Sequence, residues 1–407
     1  MTLAPTDVLN LLQKSIAAKI EDNVPHTTPL LTSLKQNSGV TPLANGTFYI
    51  TEWTNDFSNV GQFALGSALT GGTAENAQPV VSAKNLFAHV NVHEKTVLAM
   101  AQVPKGALTD FITGYTDRME MSVGREMNRT FFGNAAGVIA RANGSGSSHT
   151  DITVQALDAD TSDLLGTQYI KVGDYIKIGS GSAVQVTAIS GQHLTLASAR
   201  TWSDEDSVLK ASSDGSVAVE MQGLKGLVVA TGTVQGINIA NYPNLQAYVD
   251  TASGDISSVG EKPMMLAYLK TFSRKVSKTM LGFANITVFN EWANVLTALK
   301  KTANTSEVIQ GGLKVQGDII ENPYLDFMGG RVYMDVDCWT NHWYNIDPQA
   351  FTIGDLGGGV KFSMGPDGKN VWARITGYTP AYEATLRFYG ELIDKNPGAN
   401  SVCTNLS

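Results

Sequence analysis

Four small sets of residues have types and spacings from which chemistry could be built. His89 and His93, followed by Glu94, offer possible metal ligands. Around them Phe87, His89, Asn91 and His93 alternate with Ala88, Val90, Val92 and Glu94, the period of a strand. Strand residues four apart share a face but lie about 13 Å apart, too far to hold one ion. Asp335 and Asp337 flank Val336, so on a strand both carboxylates face one side, roughly 7 Å apart. Paired carboxylates can do acid–base work or bind a cation. No second acidic, His or Asn cluster stands nearby in sequence to support them, and a solvated strand face is the simpler reading. Gly179, Ser180 and Gly181 look like the opening of a dinucleotide loop, but Val184 stands where the third glycine belongs and no helix pattern follows. A hairpin turn is expected there. Trp339, Trp343 and Tyr344 could stack a sugar or a base; a core or interface role is the expectation.

The sequence holds no other motif of catalysis or phosphate binding. There is no phosphate-binding GxxxxGK[ST], no GxSxG, no HExxH and no EF-hand loop. Cys338 and Cys403 share no CxxC spacing and read as two reduced thiols. We therefore assign no catalytic, cofactor-binding or metal-binding residue, imply no cofactor, and expect a protein that is not an enzyme.

The elements that carry these residues form a chain of 407 residues and net charge −8. An apolar share of 43% suffices for real cores, while charged residues reach only 16% and glycines number 40. An acidic chain lacks the positive field of a sequence-independent nucleic-acid binder. Few charges and many glycines suit a surface covered by other protein. Met1–Asn10 has no basic segment and carries Asp7, which does not fit a signal peptide, and no apolar run approaches a membrane span. The expectation is a soluble chain made in a cytoplasm.

Val8, Leu12, Ile16 and Ile20 predict an N-terminal helix, followed by a strap through Pro25, Pro29 and Pro42. Two strand patterns between Gly46 and Met100 flank the small-residue stretch Gly66–Glu75, predicting a ribbon with a mobile tip. An isolated ribbon is marginal in water and needs something to lie against. From Pro104 to Phe132, Leu108, Phe111, Ile112, Tyr115, Met119, Val123, Met127 and Phe131 keep helical spacing, a rod of about 43 Å. Asn143–Ser148 reads as a boundary. From Asp151 to Gly215, four basic against nine acidic residues and short strands (Tyr169–Val172, Asp174–Ile178, Val184–Ile189, His193–Leu196) predict an inserted acidic barrel or sandwich.

Further on, Pro263 opens a helix carrying Leu266, Leu269, Phe272, Val276 and Met280. A strand is predicted at Ile286–Phe289, a short helix around Trp292, Leu296 and Leu299, and strands near Arg331–Asp337. A turn at Gly365–Gly368 joins two further strands, and a last apolar strand covers Tyr382–Leu392. The polar tail from Lys395 to Ser407 is expected to fray.

This order resembles the tailed-bacteriophage major capsid proteins of the Hong Kong ninety-seven fold. The specific stretch is Gly114–Gly133: it is similar to the family's spine helix, whose Arg/Glu-rich turn, Asn, two apolar residues and Gly correspond to Arg125, Glu126, Asn128, Arg129, Phe131, Phe132 and Gly133. The resemblance implies an α+β fold with an N-terminal arm (1–45), an extended β-ribbon loop (46–100) and a spine helix in a peripheral domain (101–140). An inserted small β-barrel or sandwich domain (141–218) follows, then an axial α/β domain with peripheral-domain strands (219–370), a closing strand (371–395) and a flexible tail (396–407). It further implies a structural subunit that self-assembles into pentamers and hexamers of an icosahedral head enclosing double-stranded DNA. The DNA would be enclosed without sequence-specific binding. Portal, scaffold and decoration proteins are the further partners implied; the location would be the virion, assembled in the host cytoplasm, with no membrane contact. The family's Lys–Asn cross-link aligns to no residues here and is not carried over. Two alternatives remain open: a virion surface or adhesin-like glycan-binding protein using the β domain with Trp339 and Trp343, and a hydrolase using Asp335 and Asp337.

Overall fold

The computed structural model describes residues 29–36, 40–42, 45–50, 53–54, 76–95, 107–157, 166–251, 254–275, 277, 280–302, 324–363, 373–374 and 381–406. The expected helix through Val8–Ile20, the ribbon tip Gly66–Glu75 and the turn Gly365–Gly368 lie outside them. The protein is α+β, and its chain falls into two compact units.

The first unit comprises Met1–Ile50, Val80–Arg129 and Thr352–Ile393. Its sheet is organised by the strand Ala381–Asp394, which pairs antiparallel with Lys84–His93 from Ala381 opposite His93 to Gly390 opposite Lys84. Tyr382, Ala384, Leu386 and Phe388 are buried, the period-two burial of a strand with one face in the core. Phe351–Asp355 lies on its other side, with Lys35–Gln36 parallel beyond. The backbones come so close at Gly390 and Gly354 that a Cβ on Gly390 would collide with the Gly354 carbonyl. A Cβ on Gly354 would sit 2.6 Å from Ile393 Cδ1 and 3.0 Å from the Phe48 ring. Phe48, Ile50, Val81 and Ile393 form the core beneath.

The long helix is Ala107–Phe132, as its periodicity predicts, with residues through Arg129 in the first unit. Met119, Val123 and Met127 are buried at four-residue spacing, accompanied by buried Thr116, Glu120 and Asn128. Arg129 reaches back one turn to Glu126, Nη2 to Oε1 at 2.9 Å.

The second unit comprises Thr51–Pro79, Thr130–Phe351 and Asp394–Ser407. Its first part is a closed six-stranded barrel, running around in the order Tyr175–Ile178, Val184–Ser190, His193–Trp202, Gly146–Gln155, Val138–Ala142 and Ser207–Ala211. Closure removes sheet edges and lets a small domain bury Ile139, Ile152, Val154, Ile176, Val186, Leu194, Leu196 and Val208. Two sequence expectations fail here. Asn143–Ser148 is no boundary: it holds the turn joining two barrel strands and the start of the second. Asn143 N–H donates to Thr153 O at 2.9 Å and Gly144 N–H to Asp204 Oδ1 at 2.7 Å. Tyr169–Val172 is no strand, because Asp174 accepts the Lys171 N–H at 2.8 Å and folds the chain into turns ahead of Gly173, whose φ is 99°.

The rest of the unit is a six-stranded mixed sheet: Tyr248–Asp250, Ser401–Cys403, Trp343–Ile346, Leu281–Ala284, Gly330–Met334 and Tyr324–Phe327. Its core includes Met264, Tyr268, Val288, Phe289, Trp292, Phe327, Val332 and Trp343. The rings of Trp292 and Trp343 meet edge to face at 5.0 Å.

Three more expectations are corrected here. Ile286–Phe289 is not a strand but the first turn of a helix, Ile286–Thr302. Buried Asn285 starts it: its Oδ1 accepts the Thr287 N–H and its carbonyl the Phe289 N–H, both at 2.9 Å. The tail does not fray, because Ser401–Cys403 is an interior strand, parallel to Tyr248–Asp250 and antiparallel to Trp343–Asn345. Asn400, Ser401, Cys403 and Leu406 are fully buried. Finally, the helix Lys262–Phe272 turns Met264, Ala267, Tyr268 and Thr271 inward, so the expected stripe of Leu266, Leu269 and Phe272 faces out.

Candidate functional site

The carboxylates of Asp335 and Asp337 do not share a strand face. The strand Gly330–Met334 ends before them, and the chain turns where Asp335 donates its N–H to Ala284 O at 3.0 Å. Asp335 is buried, and its Oδ1 accepts the Asp337 N–H at 3.0 Å, the bond of an Asx turn. Asp337 in turn accepts a 2.7 Å hydrogen bond from the Tyr169 hydroxyl on the barrel. The cavity beside them, lined by Ile139, Leu157, Gly166, Tyr169 and Val336–Thr340, measures about 20 Å³. That is room for a water molecule and not for a substrate. Both acids are occupied in turn and latch geometry, which leaves no pair poised for hydrolysis.

The aromatic set is likewise core. Trp343 and Tyr344 are essentially inaccessible, and Trp339 is 7% exposed. Trp343 Nε1–H donates to Asn345 Oδ1 at 2.8 Å, while the Lys225 ammonium sits 2.9 Å from the Trp339 ring centroid. These rings offer no face for a sugar to stack on, so the glycan-binding alternative loses Trp339 and Trp343.

His89 and His93 lie on the strand Lys84–His93. The His89 ring Nδ1 is 2.9 Å from Thr385 Oγ1, and His93 Nδ1 accepts the Lys95 N–H at 3.1 Å. Among the described residues no group of three or more His, Cys, Asp and Glu could hold a metal ion. Gly179–Gly181 is the expected hairpin turn, with Gly179 at φ 51° and Gly181 N–H donating to Ile178 O at 2.9 Å. The free thiols of Cys338 and Cys403 are buried, and burial pushes Cys403 up to about 12.

The surface feature that sequence reasoning missed is the outer face of the helix Lys262–Phe272. Met265, Leu266, Leu269 and Phe272 are 42%, 41%, 51% and 49% exposed. Positions 265, 269 and 272 run down one side of the helix with 266 beside them, a continuous apolar stripe. Lys262, Lys270 and Arg274 are also exposed, and Lys275 Nζ lies 4.0 Å from the Phe272 ring centroid. The signal was available: a helix reading Lys-Pro-Met-Met-Leu-Ala-Tyr-Leu-Lys-Thr-Phe has more apolar residues than one buried face can use.

No protein-family model matches this sequence, and no curated protein matches it. Solved structures do. The chain superposes on the capsid asymmetric unit of cyanophage A-1(L) with a TM-score of 0.53 at 14% identity, covering 93% of both chains. It is also similar to the capsid of a native GTA particle (TM-score 0.47, 8% identity, 94% of this chain and 91% of that one) and to a chain of Mycobacterium phage Bobi (0.42, 12%, 93% and 90%). The fold assignment rests on the cyanophage chain. The protein therefore has a phage capsid fold, the one its element order and spine-helix motif had implied. No helix among the described residues is long and apolar enough to cross a membrane.

Proposed function

We propose that the chain is the structural subunit of a phage head: a major capsid protein that self-assembles into pentamers and hexamers of an icosahedral shell around double-stranded DNA. The observation that carries this reading is end-to-end likeness to a capsid chain, over 93% of both. The stripe Met265, Leu266, Leu269 and Phe272 supports it, because apolar surface at the centre of a contact is what subunit association uses. Its occupant in this reading is a second copy of the chain. The stripe's cations, Lys262, Lys270 and Arg274, suit a partner that is itself acidic, as this chain is at net −8. In the same reading the barrel is an inserted domain, the subunit resides in the virion after assembly in the host cytoplasm, and portal, scaffold or decoration proteins are additional partners. The role is structural and not enzymatic.

Sedimentation velocity of the purified chain, with negative-stain images of the same sample, tests it. Closed shells or five- and six-membered rings are expected. A monomer or trimer indifferent to concentration and crowding agents, and still without particles when a scaffold protein is co-expressed, would overturn the reading.

A further inference from the structure

Two Asn–Gly pairs stand in the chain, Asn45–Gly46 and Asn143–Gly144. Such a pair can react with itself, because glycine has no side chain to shield its backbone nitrogen from the asparagine side chain before it. Both asparagines are exposed, so exposure does not distinguish them. Their hydrogen bonds do.

Asn45 sits in the turn ahead of the strand Thr47–Ile50. The Thr47 hydroxyl donates to Asn45 Oδ1 at 2.6 Å, drawing electron density from Cγ, the atom a nucleophile attacks. Gly46 holds φ 80°, and among the described residues its N–H donates to no group. Its carbonyl accepts the Ala83 N–H at 2.9 Å, which fixes the far side of the residue.

At Asn143 the arrangement is reversed. The Gly144 N–H donates to Asp204 Oδ1 at 2.7 Å. A carboxylate there opposes removal of the amide proton, since the nitrogen anion would form against a like charge. The Asn143 N–H donates to Thr153 O at 2.9 Å, and the Gly144 carbonyl accepts Trp202 Nε1–H at 3.0 Å. The nucleophile is thus engaged and the backbone around it is held.

We propose that Asn45 is a site of spontaneous covalent modification, deamidating through a succinimide, while Asn143 is protected. Gly46 gives its amide proton to hydroxide, and its nitrogen bonds to Asn45 Cγ. The Thr47 hydroxyl meets the oxygen on which negative charge develops. The Cγ–Nδ2 bond then breaks, and ammonia leaves with a proton taken from water. Water opens the ring at either carbonyl. Attack at Cγ gives an aspartate on the original backbone; attack at the main-chain carbonyl gives an isoaspartate, with the chain routed through Cγ. Nothing is oxidised or reduced: one water is consumed and one ammonia released. Either product sets a carboxylate beside the Thr47 hydroxyl, and the isoaspartate adds a methylene to the backbone just ahead of buried Phe48 and Ile50. The chain gains negative charge with age, whether or not it builds a shell.

Incubation of the full chain from about pH 6 to 9, followed by peptide mapping, reads the reaction as the mass gain of OH for NH2 and the split into aspartate and isoaspartate peptides. Asn45 is expected to convert at least about tenfold faster than Asn143, with a rate that climbs as pH rises. Thr47→Val should slow Asn45 about three- to tenfold, the worth of one exposed hydrogen bond, and leave Asn143 unchanged. Asp204→Ala should speed Asn143 and leave Asn45 unchanged. Equal rates at the two sites, or a faster Asn143, overturn the proposal, as does an Asn45 rate indifferent to Thr47→Val. Should a variant not fold, the wild-type ratio of the two sites still decides.

Discussion

The Tyr169 hydroxyl donates a 2.7 Å hydrogen bond to Oδ1 of Asp337, fastening the barrel to the turn that follows the strand Gly330–Met334. Removing that donor should loosen the attachment without opening the barrel. Tyr169→Phe is expected to cost about 1–3 kcal/mol, read as a lower urea midpoint, with faster proteolysis between barrel and sheet. An unchanged midpoint and cleavage rate would show the contact to be incidental.

Leu269→Asp places a charge on the exposed apolar stripe. Because Leu269 is half out of contact with its own chain, the monomer should change by no more than about 0.5 kcal/mol. Assembly should fall steeply: particle yield by sedimentation drops while the thermal midpoint of the unassembled chain holds. Normal particles from this variant would remove the stripe from the subunit contact.

Trp343 sits at the meeting point of the rings of Trp292, at 5.0 Å, and Phe327, at 5.4 Å, with its indole N–H on Asn345. Trp343→Ala is expected to destabilise the second unit by about 3–5 kcal/mol. Chemical denaturation followed by tryptophan fluorescence would measure it, and a loss below about 1 kcal/mol would contradict so central a place in the core.

Deleting Asn396–Ser407 should not trim a loose end. The deletion takes out an interior strand and strips Tyr248–Asp250 and Trp343–Asn345 of their shared neighbour. Insoluble expression or a far lower thermal midpoint is the expected outcome, and a soluble chain of unchanged midpoint is the contrary one.

Fully buried Asp394, whose carboxyl accepts the Asn396 N–H and Asn400 Nδ2–H, sets a sign for stability against pH. Asp394 has its folded value raised, so its stabilising share is complete below about pH 4 and lost progressively as pH climbs to about 8. Thermal midpoints of wild type and Asp394→Asn across that window should converge toward low pH and separate toward pH 8, the variant being the flatter. Parallel curves would rule this out.

How much was legible in the sequence follows from how local each cause is. Val123, Met127 and Phe131 repeat at helical spacing, and the spine helix could be read from them alone. The strand Lys84–His93 declared itself by alternation for the same reason. Ile286, Thr287 and Val288 looked like a strand because β-branched residues usually do; one buried asparagine before them decided for a helix. The C-terminal segment looked solvent-bound because its polar groups are counted the same whether they meet water or buried partners, as Asn400 meets Asp394 and Ser401 meets Asn345. As for the candidate site, Asp335 and Asp337 could be named from spacing, but their engagement by an Asx turn and by Tyr169, 168 positions away, could not. The surplus of apolar residues in the helix Lys262–Phe272 was legible, but not that Leu269 belongs to the exposed side, since composition gives the amount of apolar surface and packing alone says which side faces out.

The way the barrel closes carries one more consequence. Its first strand, Val138–Ala142, pairs directly with its last, Ser207–Ala211, with Ala140 opposite Val208, and Lys210 N–H reaches back to Gly137 O at 3.3 Å. The chain leaves and rejoins the surrounding fold at adjacent points, so the intervening residues are topologically a detour. A lineage could acquire, discard or exchange such a piece in a single recombination event without re-threading anything around it. For the same reason a protein engineer could splice a foreign domain with neighbouring termini at Gly137 and Ser212 and leave the path of the remaining chain intact.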